Sequence, residues 1–151
     1  VGAEVGSDVP FFIYQRPCDV RGRGEVVTPV SESVPTLNLL LIKPAFGISA
    51  AWAYQKWGQS GEYEGFEYGA QETIAGSLVN DLERPVFEKF PVLGEMKRWL
   101  RSQDGIEAAL LSGSGSTMFA VLSDEVESEP LEAAVRERYG ESCWTQQCET
   151  A

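Results

Sequence analysis

Histidine is missing from all 151 residues. That absence excludes a Ser-His-Asp or Cys-His nucleophilic site, His-ligated zinc and the commonest general base, so acid–base chemistry here falls to a carboxylate. Cysteine is scarce: Cys18, Cys143 and Cys148 are scattered, odd in number and without His partners. They make neither a disulfide framework nor a metal site, and they fit a reducing compartment. Positive charge is also in short supply, with 12 Lys and Arg against 23 Asp and Glu and a formal net charge of −11. A nucleic-acid backbone binder needs a basic stripe, so that class is excluded. An anionic ligand has to be held by local donors against an unfavourable overall field, a task that suits the backbone N–H groups of a glycine-rich loop. No apolar run approaches the ~20 residues of a membrane-spanning helix. Nothing reads as a signal peptide, and the expected setting is the cytoplasm with no membrane partner.

What is present is ordinary globular material, 43% hydrophobic and 23% charged, enough for one domain, or for one small domain and a piece of another. The first residue is Val1, and "VGAEVG" reads as the last turn of a helix closed by Gly6. Such a turn cannot nucleate alone, so the chain is expected to begin inside a domain. "VPFFIYQ" (9–15) is expected as a strand, and "RGRGEVVTPV" (21–30) as a turn and a second strand. The polar, proline-bearing "SESVPT" (31–36) is the best boundary.

Beyond it, "LNLLLIKP" (37–44) has the near-continuous apolar character of a central strand buried on both faces. "SAAWAYQKWG" (49–58) predicts a helix opened by Ser49 and stopped at Gly58. Residues 58–69 are expected as a glycine-rich loop, and Ile74 and Leu78 suit one helical face. "NDLE" (80–83) has the spacing of a capping box joining Asn80 to Glu83. Pro85 and Pro91 fit helix starts, and Leu93, Met96 and Leu100 form a core stripe. A hairpin over 107–122, a solvated acidic connector (123–130), a short amphipathic helix with Leu131, Ala134, Val135 and Arg138 along one side, and a closing strand in "SCWTQQC" complete the order. From residue 37 this is a β-α-β-β-α-β, ferredoxin-like α+β arrangement with extra helices in the first crossover.

Three features can carry chemistry. "LLSGSGSTMF" (110–119) puts five small residues, Ser112 to Ser116, between two apolar runs, where a tight hairpin needs only about two loop residues. It matches neither a Walker loop nor a dinucleotide fingerprint, and it reads as a turn or as a phosphate cradle. Asp8, in "GSDVPFF", reads either as a turn residue or as a carboxylate kept dry by Val9, Pro10 and Phe11. Trp52, Tyr54 and Trp57 share one helix, as core or with one of them stacking a planar base.

In this order, "GSDVPFF", "GRGE", "KPAFGISAAWAY", "NDLE" and "LLSGSGSTMF" resemble the 4-diphosphocytidyl-2-C-methyl-D-erythritol kinase family of the GHMP kinase superfamily, from Val1 to about Phe119. The resemblance implies ATP-dependent phosphorylation of the 2-hydroxyl of a cytidine diphosphate-linked methylerythritol, in non-mevalonate isoprenoid synthesis in the bacterial cytoplasm. Asp8 would accept or orient the proton of the attacking hydroxyl. Gly113, Ser114, Gly115 and Ser116 would form the family's third glycine-rich motif beside the active site. Tyr54 would stack on cytosine and Ser49 would contact substrate, while Ala50 stands where many relatives have Thr. The family's Gly-Leu-Gly-Gly-Ser-Ser ATP loop and the lysine that partners the Asp do not occur in these residues. ATP and magnesium are therefore expected mainly in an upstream half, with no metal site here. Residues 1–35 would be a remnant of the N-terminal kinase domain, exposing Phe11 and Phe12, and 36–151 the C-terminal domain. The alternatives are a stand-alone ferredoxin-like binding or interaction module without catalysis, or another GHMP small-molecule kinase. Oligomeric state is not fixed by the sequence.

Overall fold

The computed structural model describes residues 9–22, 24–30 and 33–150. The expected helix end at 1–6 and Asp8 lie outside the described residues. The chain divides into two compact units, one up to Thr36 and one spanning Leu37–Thr150.

In the first unit, helix α1 (Val9–Tyr14) replaces the strand expected there. "VPFFIY" does not alternate apolar with polar residues as a half-buried strand would, and proline is well tolerated in a first helical turn, where its missing N–H costs nothing. Strands β1 (Cys18–Arg21) and β2 (Val26–Pro29) then pair antiparallel. Gly22 turns between them at φ +72°, a left-handed value that favours glycine. Phe11, Phe12 and Ile13 are exposed.

The second unit is built on a four-stranded sheet: β3 (Asn38–Lys43), β6 (Ile106–Leu111), β7 (Met118–Leu122) and β8 (Trp144–Glu149). Their spatial order is β6-β7-β3-β8, and every neighbouring pair is antiparallel. That is the ferredoxin-like arrangement. The first crossover carries α2 (Ala50–Trp57), a small hairpin of β4 (Gln71–Thr73) and β5 (Gly76–Leu78), α3 (Glu83–Lys89) and α4 (Pro91–Arg101). The second carries α5 (Ser128–Tyr139).

One face of the sheet holds the main core. Leu40, Ile42, Ala109, Leu111, Met118 and Ala120 meet Ala53 of α2, Val86 and Phe87 of α3, Leu93, Met96 and Leu100 of α4, and Leu131 and Val135 of α5. On the opposite face Leu37, Ala108, Leu110 and Val121 gather with the half-buried Leu39, Leu78 and Phe119. β3 is central, yet only Leu40 and Ile42 of this strand are fully buried. The expectation of equal burial on both faces is corrected: helices cover one side, and the small hairpin covers only part of the other.

Residues 71–79 form that hairpin and not a helix. Gly76 sits at φ +112°, and Thr73 Oγ1 accepts the Ala75 N–H at 3.2 Å while donating to the Gly76 carbonyl at 2.8 Å. Local turn bonding of this kind outcompetes a helix whose face held only Ile74 and Leu78. The capping box is corrected too. Asn80 Oδ1 accepts from the Leu82 N–H at 2.9 Å, but Glu83 turns inward to Lys97 instead of reaching back. Pro91 does open α4. Ser49 caps α2, its oxygen accepting the Trp52 N–H at 3.3 Å, and Gly58 closes that helix. All three cysteines are free.

Candidate functional site

A cleft of about 700 Å³ opens within the second unit, between α2, the end of β5 and the turn from β6 into β7. Its walls include Tyr54 and Trp57 from α2, Leu78 at the end of β5, Asn80 just after the hairpin, and Ser112, Gly113 and Phe119 from the β6–β7 side. Residues three apart on a helix share a face, which puts Tyr54 and Trp57 together toward the cleft. Their helix is fastened from its other side. Ala53 is fully buried, and Trp52 meets Phe90 edge to face with ring centroids 6.0 Å apart. Phe46, just before α2, stacks on the same Phe90 ring at 5.5 Å. Tyr54 is left 68% exposed, so its ring is free to take a planar partner.

The loop between β6 and β7 is short and internally closed. Ser112 N–H donates to the Thr117 carbonyl at 2.8 Å, and Gly115 N–H to the Ser112 carbonyl at 2.9 Å. Gly115 stands at φ +81°, and a Cβ there would come within 2.7 Å of Leu111 Cδ1. Both its conformation and its packing require glycine. Among the described residues, the N–H groups of Gly113, Ser114 and Ser116 donate to no partner.

The four loop residues do not share one environment. Gly113 lines the cleft and Ser114 is half-buried. Ser116 is fully buried, its hydroxyl donating to the Phe46 carbonyl and accepting from Lys43 Nζ at 2.9 Å. Lys43 Nζ also donates to the carbonyls of Pro44 at 3.0 Å and Phe46 at 2.7 Å. Ser116 thus anchors the loop, while Gly113 lies exposed at the cleft wall. Ser49 caps its helix and is not among the residues of the cleft wall.

Behind the cleft lies a buried ion pair that sequence reasoning missed. Lys97 Nζ and Glu83 Oε2 are 2.6 Å apart with both side chains almost wholly enclosed. Glu83 Oε1 accepts the Leu111 N–H at 2.9 Å, and Lys97 also donates to the Glu67 carbonyl at 2.6 Å. Burial pushes the Glu83 carboxyl above its ordinary value, against the opposing pull of Lys97 and the Leu111 amide. Asn80, Leu78 and Phe119 of the cleft wall were likewise not singled out as site residues, whereas Trp57 was named beside Tyr54 as a candidate for stacking a base. Asn80 entered through "NDLE", which read as a helix cap and as one motif of the family resemblance, with no role given to Asn80 itself. Among the described residues no three Cys, Asp or Glu side chains converge as a metal site, and no helix is long and apolar enough to cross a membrane.

Residues 68–141 match the family described as GHMP kinases C terminal, a segment that holds the glycine loop, strands β6 and β7 and most of the cleft wall. The chain thus carries, over those residues, the C-terminal domain of the GHMP kinases. Its relatives are more particular. A 4-diphosphocytidyl-2-C-methyl-D-erythritol kinase of Thermodesulfovibrio yellowstonii is 39% identical over 142 residues, covering 85% of this chain and 49% of the relative. One of Methylacidiphilum infernorum is 38% identical, covering 83% of this chain and 43% of the relative. Another, of Geobacter metallireducens, is 37% identical and covers 85% and 46%. A crystal structure of 4-(cytidine 5'-diphospho)-2C-methyl-D-erythritol kinase superposes with a TM-score of 0.71 at 25% identity, covering 99% of this chain and 55% of that one. The chain spans about half the length of the curated relatives it matches.

Proposed function

We propose that this chain is the C-terminal portion of a small-molecule kinase that transfers a phosphoryl group from ATP to the 2-hydroxyl of 4-diphosphocytidyl-2-C-methyl-D-erythritol. The observation that carries the reading is the cleft itself, where an exposed tyrosine and Gly113 of the glycine loop, whose N–H has no partner among the described residues, line the same space. The names of the relatives supply the substrate. Phosphoryl transfer asks mainly for positioning and for stabilisation of charge on the transferred group. A flat, exposed ring suits a pyrimidine base, and backbone N–H groups suit phosphate oxygens in a chain too acidic to attract them otherwise. Residues 1–35 are assigned to the end of the N-terminal domain, and ATP and magnesium to residues upstream of it. Asp8, outside the described residues, is assigned the proton of the attacking hydroxyl. The setting is the bacterial cytoplasm, with a soluble small-molecule substrate.

The test is Asp8→Asn in the enzyme carrying its ATP-binding half. kcat is expected to fall about 10²-fold or more, the scale of a lost general base, with an unchanged circular dichroism spectrum. Unaltered turnover would remove Asp8 from the mechanism. Tyr54→Ala is expected to weaken cytidine-substrate binding by roughly 1–3 kcal/mol, as for other base–aromatic stacks. A Michaelis constant that does not move would place the stacking group elsewhere.

A further inference from the structure

Strand β6 lies at the outer side of the sheet, with β7 as its only strand neighbour among the described residues. Its free edge is nevertheless paired. The Gln71 side-chain amide donates to the Ala109 carbonyl at 2.9 Å and accepts the Ala109 N–H at 3.0 Å. Glu83 Oε1 takes the Leu111 N–H at 2.9 Å. Asn80 Nδ2 donates to the carbonyls of both Leu111 and Gly113, each at 2.8 Å. Three side chains from a single stretch do what a fifth strand would do, and the pairing runs past the end of β6 into the glycine loop.

Asn80 is the member that reaches the loop. Its amide orientation is fixed from both sides, since Oδ1 takes the Leu82 N–H while Nδ2 faces two carbonyls. A trans peptide is planar, and its N–H points opposite to its carbonyl. Holding the Leu111 carbonyl therefore aims the Ser112 N–H the other way, and that N–H is bonded to Thr117. Holding the Gly113 carbonyl aims the Ser114 N–H by the same rule. The Ser114 N–H has no partner among the described residues. A free donor whose direction is fixed by a neighbouring side chain is organised for a ligand acceptor in advance of binding.

We propose that Asn80 is a positioning residue: it sets the peptide plane of Gly113–Ser114 so that the Ser114 N–H is presented to a phosphate oxygen of a nucleoside diphosphate ligand. The inference rests on the proposed function for the ligand's class, but the geometry of the peptide plane does not.

The experiment uses the full chain, labelled with ¹⁵N, as wild type and as the isosteric Asn80→Asp and truncated Asn80→Ala variants. Hydrogen exchange at Ser112 and Gly115, the loop amides that are hydrogen-bonded, is compared with that at Leu40 and Ala120. Cytidine 5'-diphosphate is then titrated while the Ser114 amide is followed. Both variants are expected to raise exchange at the two loop amides about 10-fold, as for one lost hydrogen bond, with core amides nearly unchanged. Both are also expected to weaken diphosphate binding about 10-fold. Loop amides that exchange as in wild type would overturn the proposal, as would a rise shared equally by core amides. If wild type fails to bind the diphosphate, the ligand assignment fails, and the exchange comparison alone decides whether Asn80 sets the loop.

Discussion

Replacing Lys97 by Met is expected to cost the second unit about 3–5 kcal/mol, the scale for breaking a buried ion pair by deleting one partner. The side chains of Lys97 and Glu83 are 2% and 1% exposed, so no water is at hand to take over. Lys97→Met would also strand the Glu67 carbonyl, to which Nζ now donates. The loss should depend on pH, with a definite sign. Burial already raises the Glu83 carboxyl, and without the ammonium it rises further. A carboxyl raised in the folded state favours folding while protonated, below its ordinary value, and that advantage is lost as pH rises through the raised value. The variant should therefore be most damaged at pH 8 and recover part of its stability at pH 5. Urea unfolding at the two pH values checks this, and equal losses at both would mean that ionisation of Glu83 is not the cause. Adding Glu83→Gln should recover part of the loss, because no buried charge then remains.

Phe87→Ala is expected to cost a similar amount, about 3–5 kcal/mol, as for other fully enclosed aromatic residues. Phe87 has no exposed surface, and its ring meets Phe66 at 5.8 Å and Tyr68 at 5.9 Å between centroids. These contacts tie the loop before the small hairpin to α3, and Lys97 Nζ lies 6.0 Å from the same ring. Removing the ring leaves a cavity beside the ion pair, so the effects of Phe87→Ala and Lys97→Met should not add. Thermal unfolding of the single and double variants measures both points. A cost below about 1 kcal/mol for Phe87→Ala would mean that the surrounding rings close the space.

The elements with strong local signals were legible. Ser49 and Gly58 bounded α2, Leu93, Met96 and Leu100 marked the inner face of α4, and the apolar runs around the glycine loop gave the β6–β7 hairpin. Legibility failed where short range and long range compete. Ile74 and Leu78 have helical spacing, but Gln71 pairs with Ala109, 38 positions away, and draws the segment into a hairpin along β6. Glu83 fits a capping box until Lys97 enters the account, and only the tertiary fold brings Lys97 to it. Tyr54 and Gly113 were singled out and do line the same cleft. Asn80 was read as a local cap because a donor to two carbonyls about thirty positions on has no signature in a sequence window.

Lys43 joins pieces of chain that are otherwise independent. One ammonium holds the turn that leads into the tyrosine-bearing helix and the serine that ends the glycine loop. An ammonium has three N–H bonds to give, and each finds an oxygen here. Two of those oxygens belong to the backbone, so no exchange of side chain at position 116 could stand in for the ammonium. The loop's footing and the helix's entry therefore share a single point of failure.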